Sequence, residues 1–297
     1  MQQNRSQQWA VAALVLLATI WGYNWILMKI AVRYAPAFDF AAMRAFYGSL
    51  SLFLMMIWRG QSLKPRALAG TAGYGILQSG GTIGLATWAL VHGGAGKTAI
   101  LTYTMSFWTL LFAWAFLNER LKKQQWLSIG LALVGIALIL LPFSLASDLL
   151  SKGLAVFAGV SWALASIVAK RLHRDPGVDL LSLTAWQMLL GSLPLMAISL
   201  LTPSAPIQWT PTFVGILIYN AVPGSAIAWL LWLYALKHLS THMVSLGALL
   251  TPVLGVGMAA VQLGEIPTPT ELAGIGLILL ALMLSVSFKP SSLYGPK

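Results

Sequence analysis

One pattern limits what this chain can fold into: apolar runs of about twenty residues recur from end to end, parted by short polar gaps. The hydrocarbon core of a bilayer takes about 20 apolar residues per helix. By that ruler, spans fall near 9–32, 37–58, 68–91, 97–117, 125–143, 153–171, 180–201, 211–236, 241–262 and 271–288. The gaps "RGQSLKPR", "NERLKKQQ", "HRDPGVD" and "GEIPTPTE" carry the turn formers and the charges. Only 8% of the 297 residues are charged, whereas a soluble chain carries roughly a quarter. The expected class is an all-α polytopic membrane protein of ten transmembrane helices, with connections too short for a soluble domain.

The formal charge of +11 does not point to nucleic acid, because the basic residues form no run and no aromatic-studded patch. They lie in the gaps, where they set topology. With the N-terminus cytoplasmic, thirteen fall on that side: Arg5, Arg59, Lys64, Arg66, Arg120, Lys122, Lys123, Lys170, Arg171, Arg174, Lys237, Lys289 and Lys297. Four fall opposite, Lys29, Arg33, Lys97 and Lys152, and Arg44 lies within a span. Both termini are therefore expected in the cytoplasm. The first run follows a single basic residue and shows no small-x-small cleavage signature, so it reads as a retained helix rather than a removed signal peptide. The chain has no cysteine, hence no disulfide framework, thiolate nucleophile or thiolate metal site.

The two halves match in order. Trp21 and Lys29 are eight residues apart, as are Trp162 and Lys170; Arg44 and Gln187 each stand four residues before a "GSL". His92 to Glu119 spans 27 residues, as does His238 to Glu265, and each glutamate precedes the glycine of an "IGL" by 11. The expected units are 1–147 and 148–297. Five spans per unit is an odd number, so the second copy starts on the opposite side and the repeats are inverted. Inverted repeats characterise secondary transporters, which bind near the midplane at the repeat interface and rock about that site.

The segment "WGYNWILMKIAVRYAPAFDFAAMRAFYGSL" resembles the opening of EamA-type members of the drug/metabolite transporter superfamily. "LNERLKKQQWLSIGLALVGIALIL" and "LGEIPTPTELAGIGLILLAL" are similar to the glutamate-plus-glycine segments that close each repeat of that family. The resemblance covers essentially the whole chain. It implies a secondary transporter, usually an exporter of small metabolites, with a central cavity between the repeats. Within the superfamily, "YTMSFWTLLFAWAFLNE" looks most like the bacterial aromatic amino-acid exporters of the YddG type. Family repeats often carry a proline midway along this span; the second copy has Pro252 there and the first has Ser106.

Every acidic residue (Asp39, Glu119, Asp148, Asp175, Asp179, Glu265, Glu271) and every histidine falls at a span end or in a gap. No midplane carboxylate is thus expected to relay protons or bind a cationic cargo. A neutral or zwitterionic substrate, moved by facilitated diffusion or weak coupling, fits better. Arg44 is the one charge well inside a span. Two readings stay open for it: a snorkelling side chain paired with a carbonyl or Asp39, or an anchor at the outer mouth for a carboxylate-bearing substrate. Lys29 and Lys170 lie in final turns and are expected to snorkel. Trp9, Trp58, Trp126 and Trp209 are expected interface anchors.

Trp21 and Trp162 are deeper and match under the repeat, and an indole N–H in hydrocarbon wants a partner. Both are candidates for a cavity wall. Asn24, with Ala165 as its counterpart, has less support. Gln78 and Ser79 sit mid-span beside Gly80 and Gly84, a spacing typical of close helix contact. They bond across helices or face substrate. In span eight, Pro223 removes a backbone hydrogen bond and can free the Tyr219 carbonyl, between Asn220 and Ser225. Register sets Gln78 and Ser79 against Gly224 and Ser225. Tyr103, Ser106, Ser245 and Thr251 would complete a ring of hydroxyls and aromatics, although Ser and Thr also bond their own helix.

The expected function is export of small metabolites across a bacterial inner membrane by alternating access, with amino acids, aromatic or bulky neutral, favoured as cargo. Nucleosides, sugars or drugs are the alternative cargoes; a sugar phosphate would call for a midplane Lys/Arg pair, and only Arg44 is close. An intramembrane enzyme would need a nucleophile with a base, or a metal set, and the sequence supplies neither. No cofactor or metal is expected, and the partners are substrate and lipid, with monomer and dimer equally open.

Overall fold

A computed structural model describes residues 2–117, 121–140, 146–172, 177–202, 204–239, 243, 247 and 249–287. Those residues are helical almost throughout. The helices are α1 (Gln2–Ala31), α2 (Ala37–Trp58), α3 (Leu68–Gly75), α4 (Gly84–His92), α5 (Ala95–Thr102), α6 (Met105–Leu117) and α7 (Lys123–Leu140). The second half contributes α8 (Ala146–Leu172), α9 (Leu180–Leu201), α10 (Pro211–Ala221), α11 (Ala228–His238), α12 (Leu250–Leu263) and α13 (Pro269–Ser287). A π-helical segment, Ile76–Ile83, joins α3 to α4, and a second, Val222–Ile227, joins α10 to α11. Among the described residues, seven helical stretches are long and apolar enough to cross a membrane. The expected spans 68–91, 241–262 and 271–288 are not among the seven. The first is diluted by Gln78, Ser79 and a series of glycines, the second lies partly outside the described residues, and α12 and α13 are shorter apolar helices.

Local chemistry explains where these helices begin. The Asp179 carboxylate accepts the Ser182 N–H at 2.9 Å, and Thr210 Oγ1 accepts from Phe213 N ahead of Pro211 at the first position of α10. Both are N-caps that satisfy donors left over by helix geometry. At α13, Thr268 and Glu271 cap reciprocally: Thr268 N donates to Glu271 Oε2 at 2.9 Å, and Glu271 N donates to Thr268 Oγ1 at 3.3 Å. That is a capping box. Helix α12 ends at Gly264, whose φ of 67° places it in the left-handed region where glycine carries no Cβ penalty.

Lipid offers no hydrophobic drive for helix association, so helices meet where small residues let backbones approach. A Cβ on Gly135 of α7 would stand 2.7 Å from the Gly274 carbonyl oxygen of α13, and a Cβ on Gly274 equally close to that of Gly135. Gly48 of α2 faces Ser225 Oγ, 2.9 Å from where its Cβ would lie, and Gly191 of α9 faces Ser79 Cβ at 2.6 Å. Packing partners also come in matched sets. Helix α1 packs on α11 and α12, while α8 packs on α4 and α6; α2 packs on the second π segment, while α9 packs on the first. Helices α2 and α9 pack on each other, as do α7 and α13.

The four tryptophans expected at interfaces are all exposed near helix ends, Trp58 at 83% and Trp9 at 68%. Lys29 is tied down: its ammonium donates to the Leu90 carbonyl at 2.7 Å, at the C-terminal end of α4 where a cation meets free carbonyls.

Candidate functional site

The two π segments are the places where regular backbone bonding gives way. Pro223 has no N–H to offer the carbonyl four residues back, and the helix around it takes π geometry. The Ser225 hydroxyl donates to the Asn220 carbonyl at 2.9 Å. Trp21 of α1 donates its indole N–H to the Gly224 carbonyl at 3.1 Å. Its ring also lies against Trp229 and Trp232, with centroids 6.3 and 6.2 Å away. The Tyr219 hydroxyl donates to the Ile20 carbonyl at 3.1 Å, and its ring meets Tyr23 edge-on. One side of α1 is thereby fastened to the broken helix by an indole and a phenol.

Asn24, one turn beyond Ile20, is buried; its amide Nδ2 donates to Met28 Sδ at 3.4 Å. Arg44 Nη1 donates to the same sulfur at 2.9 Å, and Arg44 is buried inside the bundle. Asp39, considered above as a partner for Arg44, instead accepts a hydrogen bond from Ser199 of α9.

A second group lies around the break between α5 and α6, which occurs at Tyr103 and Thr104 although no proline stands there. Tyr103 is buried, stacks edge-on against Trp162 with centroids 5.6 Å apart, and lies within hydrogen-bonding reach of Thr251. Ser106 follows half-buried, its N–H directed at the Tyr103 carbonyl. Tyr103 and Trp162 belong to the same apolar cluster as Tyr23, Trp25 and Met28, which links this group to the first.

Gln78 and Ser79 lie on the first π segment. Ser79 donates to Gln187 Oε1 of α9 at 3.0 Å, a cross-helix bond, and Gln78 is half-buried beside it. Ser245 lies outside the described residues. The sequence reading offered none of Met28, Gln187, Trp229 and Trp232 as site residues. Asn220 and Gln187 carried a signal, a mid-span amide, whereas Met28 carried none, since a methionine in an apolar run is unremarkable by composition.

At one end of the bundle, the Glu265 carboxylate accepts the N–H groups of Ala95 and Gly96 at 2.8 and 3.1 Å, capping α5 from the loop before α13. Lys97 pairs with Glu271 at 3.0 Å, and Lys152 pairs with Asp148 at 2.7 Å and Glu271 at 3.7 Å. At the other end, a cavity of 480 Å³ opens between the ends of α2, α3 and α9, lined by Lys64, Arg66, Asp179 and Trp186 among others. None of the residues expected from the sequence to bind substrate lines it. Among the described residues, no group of histidine and carboxylate side chains could hold a metal ion.

A model of the EamA-like transporter family matches the chain twice, over residues 8–141 and 151–287. The probable amino-acid metabolite efflux pump of Salmonella typhimurium is 29% identical over 283 residues, covering 92% of this chain and 93% of its own length. YoaV, an uncharacterised transporter of Bacillus subtilis, is 25% identical over 89% of this chain and 92% of its own. YedA, an uncharacterised inner membrane transporter of Escherichia coli K12, is 26% identical over 92% and 89% respectively. A solved crystal structure superimposes with a TM-score of 0.63 over 94% of this chain and 96% of that one; at 19% identity, the likeness is one of fold.

Proposed function

The chain belongs to the EamA-like transporter family, and from that premise we propose that it exports amino acids, aromatic or bulky neutral ones favoured, by alternating access across a bacterial inner membrane. The observation that carries the reading is the aromatic and amide surface gathered on the second π segment, where Trp21 and Tyr219 tie α1 to a helix broken at Pro223. Broken helices between repeats are where transporters bind cargo. The similarity to a probable amino-acid metabolite efflux pump supports the substrate class.

In this reading the chain crosses the membrane ten times as two inverted units, 1–147 and 148–297, with both termini cytoplasmic. The matched packing partners of α1 and α8, and of α2 and α9, support such a relation. So does the register of the π segments: the first starts at Ile76 and the second at Val222, in helices ending at His92 and His238. Rocking of α1 and α2 against α8 and α9 would expose the site to each side in turn, with the Glu265 cap and the Lys97–Glu271–Lys152 cluster closing the outer end.

Transport is facilitative. Among the described residues, the buried charged side chain well inside a span is a guanidinium, Arg44, which does not exchange protons in the physiological range. Purified protein in proteoliposomes should exchange amino acids in preference to nucleosides and sugars, and an imposed pH step should not drive accumulation. Exchange of a nucleoside or sugar with no response to any amino acid overturns the cargo assignment. Accumulation driven by the pH step alone overturns the facilitative one.

A further inference from the structure

Three buried polar atoms near Met28 and the second π segment have no hydrogen-bond partner among the described residues: Asn24 Oδ1, Arg44 Nε and Asn220 Oδ1. Their residues are 8%, 9% and 0% exposed. Asn24 and Arg44 meet at one atom, and Asn220 lies on α10, against which both their helices pack. Asn24 Nδ2 and Arg44 Nη1 share the Met28 sulfur, at 3.4 and 2.9 Å. Asn24 Oδ1 lies 3.6 Å from where a Cβ on Gly224 would stand, so the amide rests on the π segment itself. Asn220 is one turn before Gly224 on the same helix, and α2, which carries Arg44, packs on α10 and on that segment.

Native proteins rarely leave buried polar atoms unsatisfied, and such atoms call for an explanation such as an absent ion or ligand. A guanidinium has five donors and no acceptor, and a thioether sulfur is a weak acceptor that neutralises no charge. Among the described residues no carboxylate forms an ion pair with Arg44. The unfilled requirements are therefore one anion and two neutral acceptors awaiting N–H donors.

We propose that Arg44, Asn24 and Asn220 form the recognition site for the backbone of a zwitterionic α-amino acid. The substrate carboxylate takes the guanidinium, replacing the Met28 sulfur with two charged oxygens in the geometry Arg prefers. The substrate ammonium donates to Asn24 Oδ1 and Asn220 Oδ1. Met28 is suited to giving way, being unbranched and adaptable. A sugar or nucleoside would leave the guanidinium charge uncompensated, and an amine without a carboxylate would set two cations side by side. Side-chain selectivity then falls to the aromatic wall of Trp21, Tyr23 and Tyr219. The assignment rests on the amino-acid exporter reading and supplies its chemical basis.

The test combines counterflow in proteoliposomes with ligand-induced thermal stabilisation of the purified wild-type protein and of Arg44→Lys, Arg44→Met and Asn220→Leu. The probes are the best-exchanged amino acid, the amine lacking its carboxylate, the 2-hydroxy acid lacking its ammonium, and the methyl ester. For the wild type, each analogue should compete at least tenfold more weakly than the parent. Arg44→Lys should fold and bind the parent at least tenfold more weakly. Asn220→Leu should raise stability without ligand, by removing an orphaned oxygen, while weakening the parent's binding. If amino acids exchange but the amine or the ester competes as well as the parent, the site assignment is wrong and the exporter reading stands. If Asn220→Leu and Arg44→Lys leave affinity unchanged, the assignment fails likewise. If amino acids stabilise the protein with this dependence but are not exchanged, the exporter reading fails and the site stands. If no amino acid either exchanges or stabilises, both fail.

Discussion

At the scale of single residues, the proposed site is defined by side chains that have work left to do. Trp21 differs from the tryptophans at helix ends because its N–H is committed to a backbone carbonyl, Gly224, that sits in the π segment. Trp21→Phe keeps most of the ring and removes that donor. It should cost about 0.6–1 kcal/mol of stability, the usual worth of a hydrogen bond within a membrane protein, and should slow amino-acid exchange more than it lowers Tm. Thermal unfolding and counterflow on the same preparation check both. The residue scale is also where the sequence was least informative. Arg44 and Asn24 could be picked out as polar atoms in an apolar run. That both converge on Met28 depends on which face of α1 meets α2, which periodicity alone does not settle. Ser79 illustrates the opposite outcome: a mid-span hydroxyl beside glycines turned out to bridge to Gln187 of α9.

At the scale of elements, the broken helix is the informative feature. Pro223 marked the break in advance, but the helix responds by widening into a π turn, because Gly224 and Ser225 accommodate the looser register and the Ser225 hydroxyl satisfies the Asn220 carbonyl. The first π segment has no proline and was not foreseen. It forms where glycines pack closely: Gly75 against the Gln187 carbonyl, and Gly81 against Ser161. Pro223→Ala restores a backbone donor and should stabilise the helix by on the order of 1 kcal/mol or more, while reducing exchange, since a regular helix would turn the Gly224 carbonyl away from the Trp21 N–H. A rise in Tm together with faster exchange would remove the break from the mechanism. Helix α5 gives a second test. Glu265→Ala deprives the Ala95 and Gly96 N–H groups of their shared carboxylate and should cost about 1–2 kcal/mol, as loss of a cap does, read as a lower Tm.

At the scale of the whole molecule, hydropathy foretold an all-helical membrane protein, and the resemblance carried by the opening and closing segments of the two halves foretold the family, because those properties are carried by many residues at once. The chain's lack of cysteine makes the proposed topology directly accessible. Ser62→Cys, in the loop between α2 and α3, should react with a membrane-impermeant thiol reagent only from the cytoplasmic side. Ser204→Cys, between α9 and α10, should react only from outside; the reverse pattern would invert the orientation. Carrier behaviour is the property on which the proposed site, the repeats and the gates all depend. The most direct test is counterflow with unlabelled bulky neutral amino acid trapped inside proteoliposomes and a trace of the labelled form outside. The expected result is a transient overshoot of label inside, since only a site exposed to one side at a time couples the two flows. Label that enters without overshoot points to a channel, and label that does not enter at all contradicts amino-acid export by this protein.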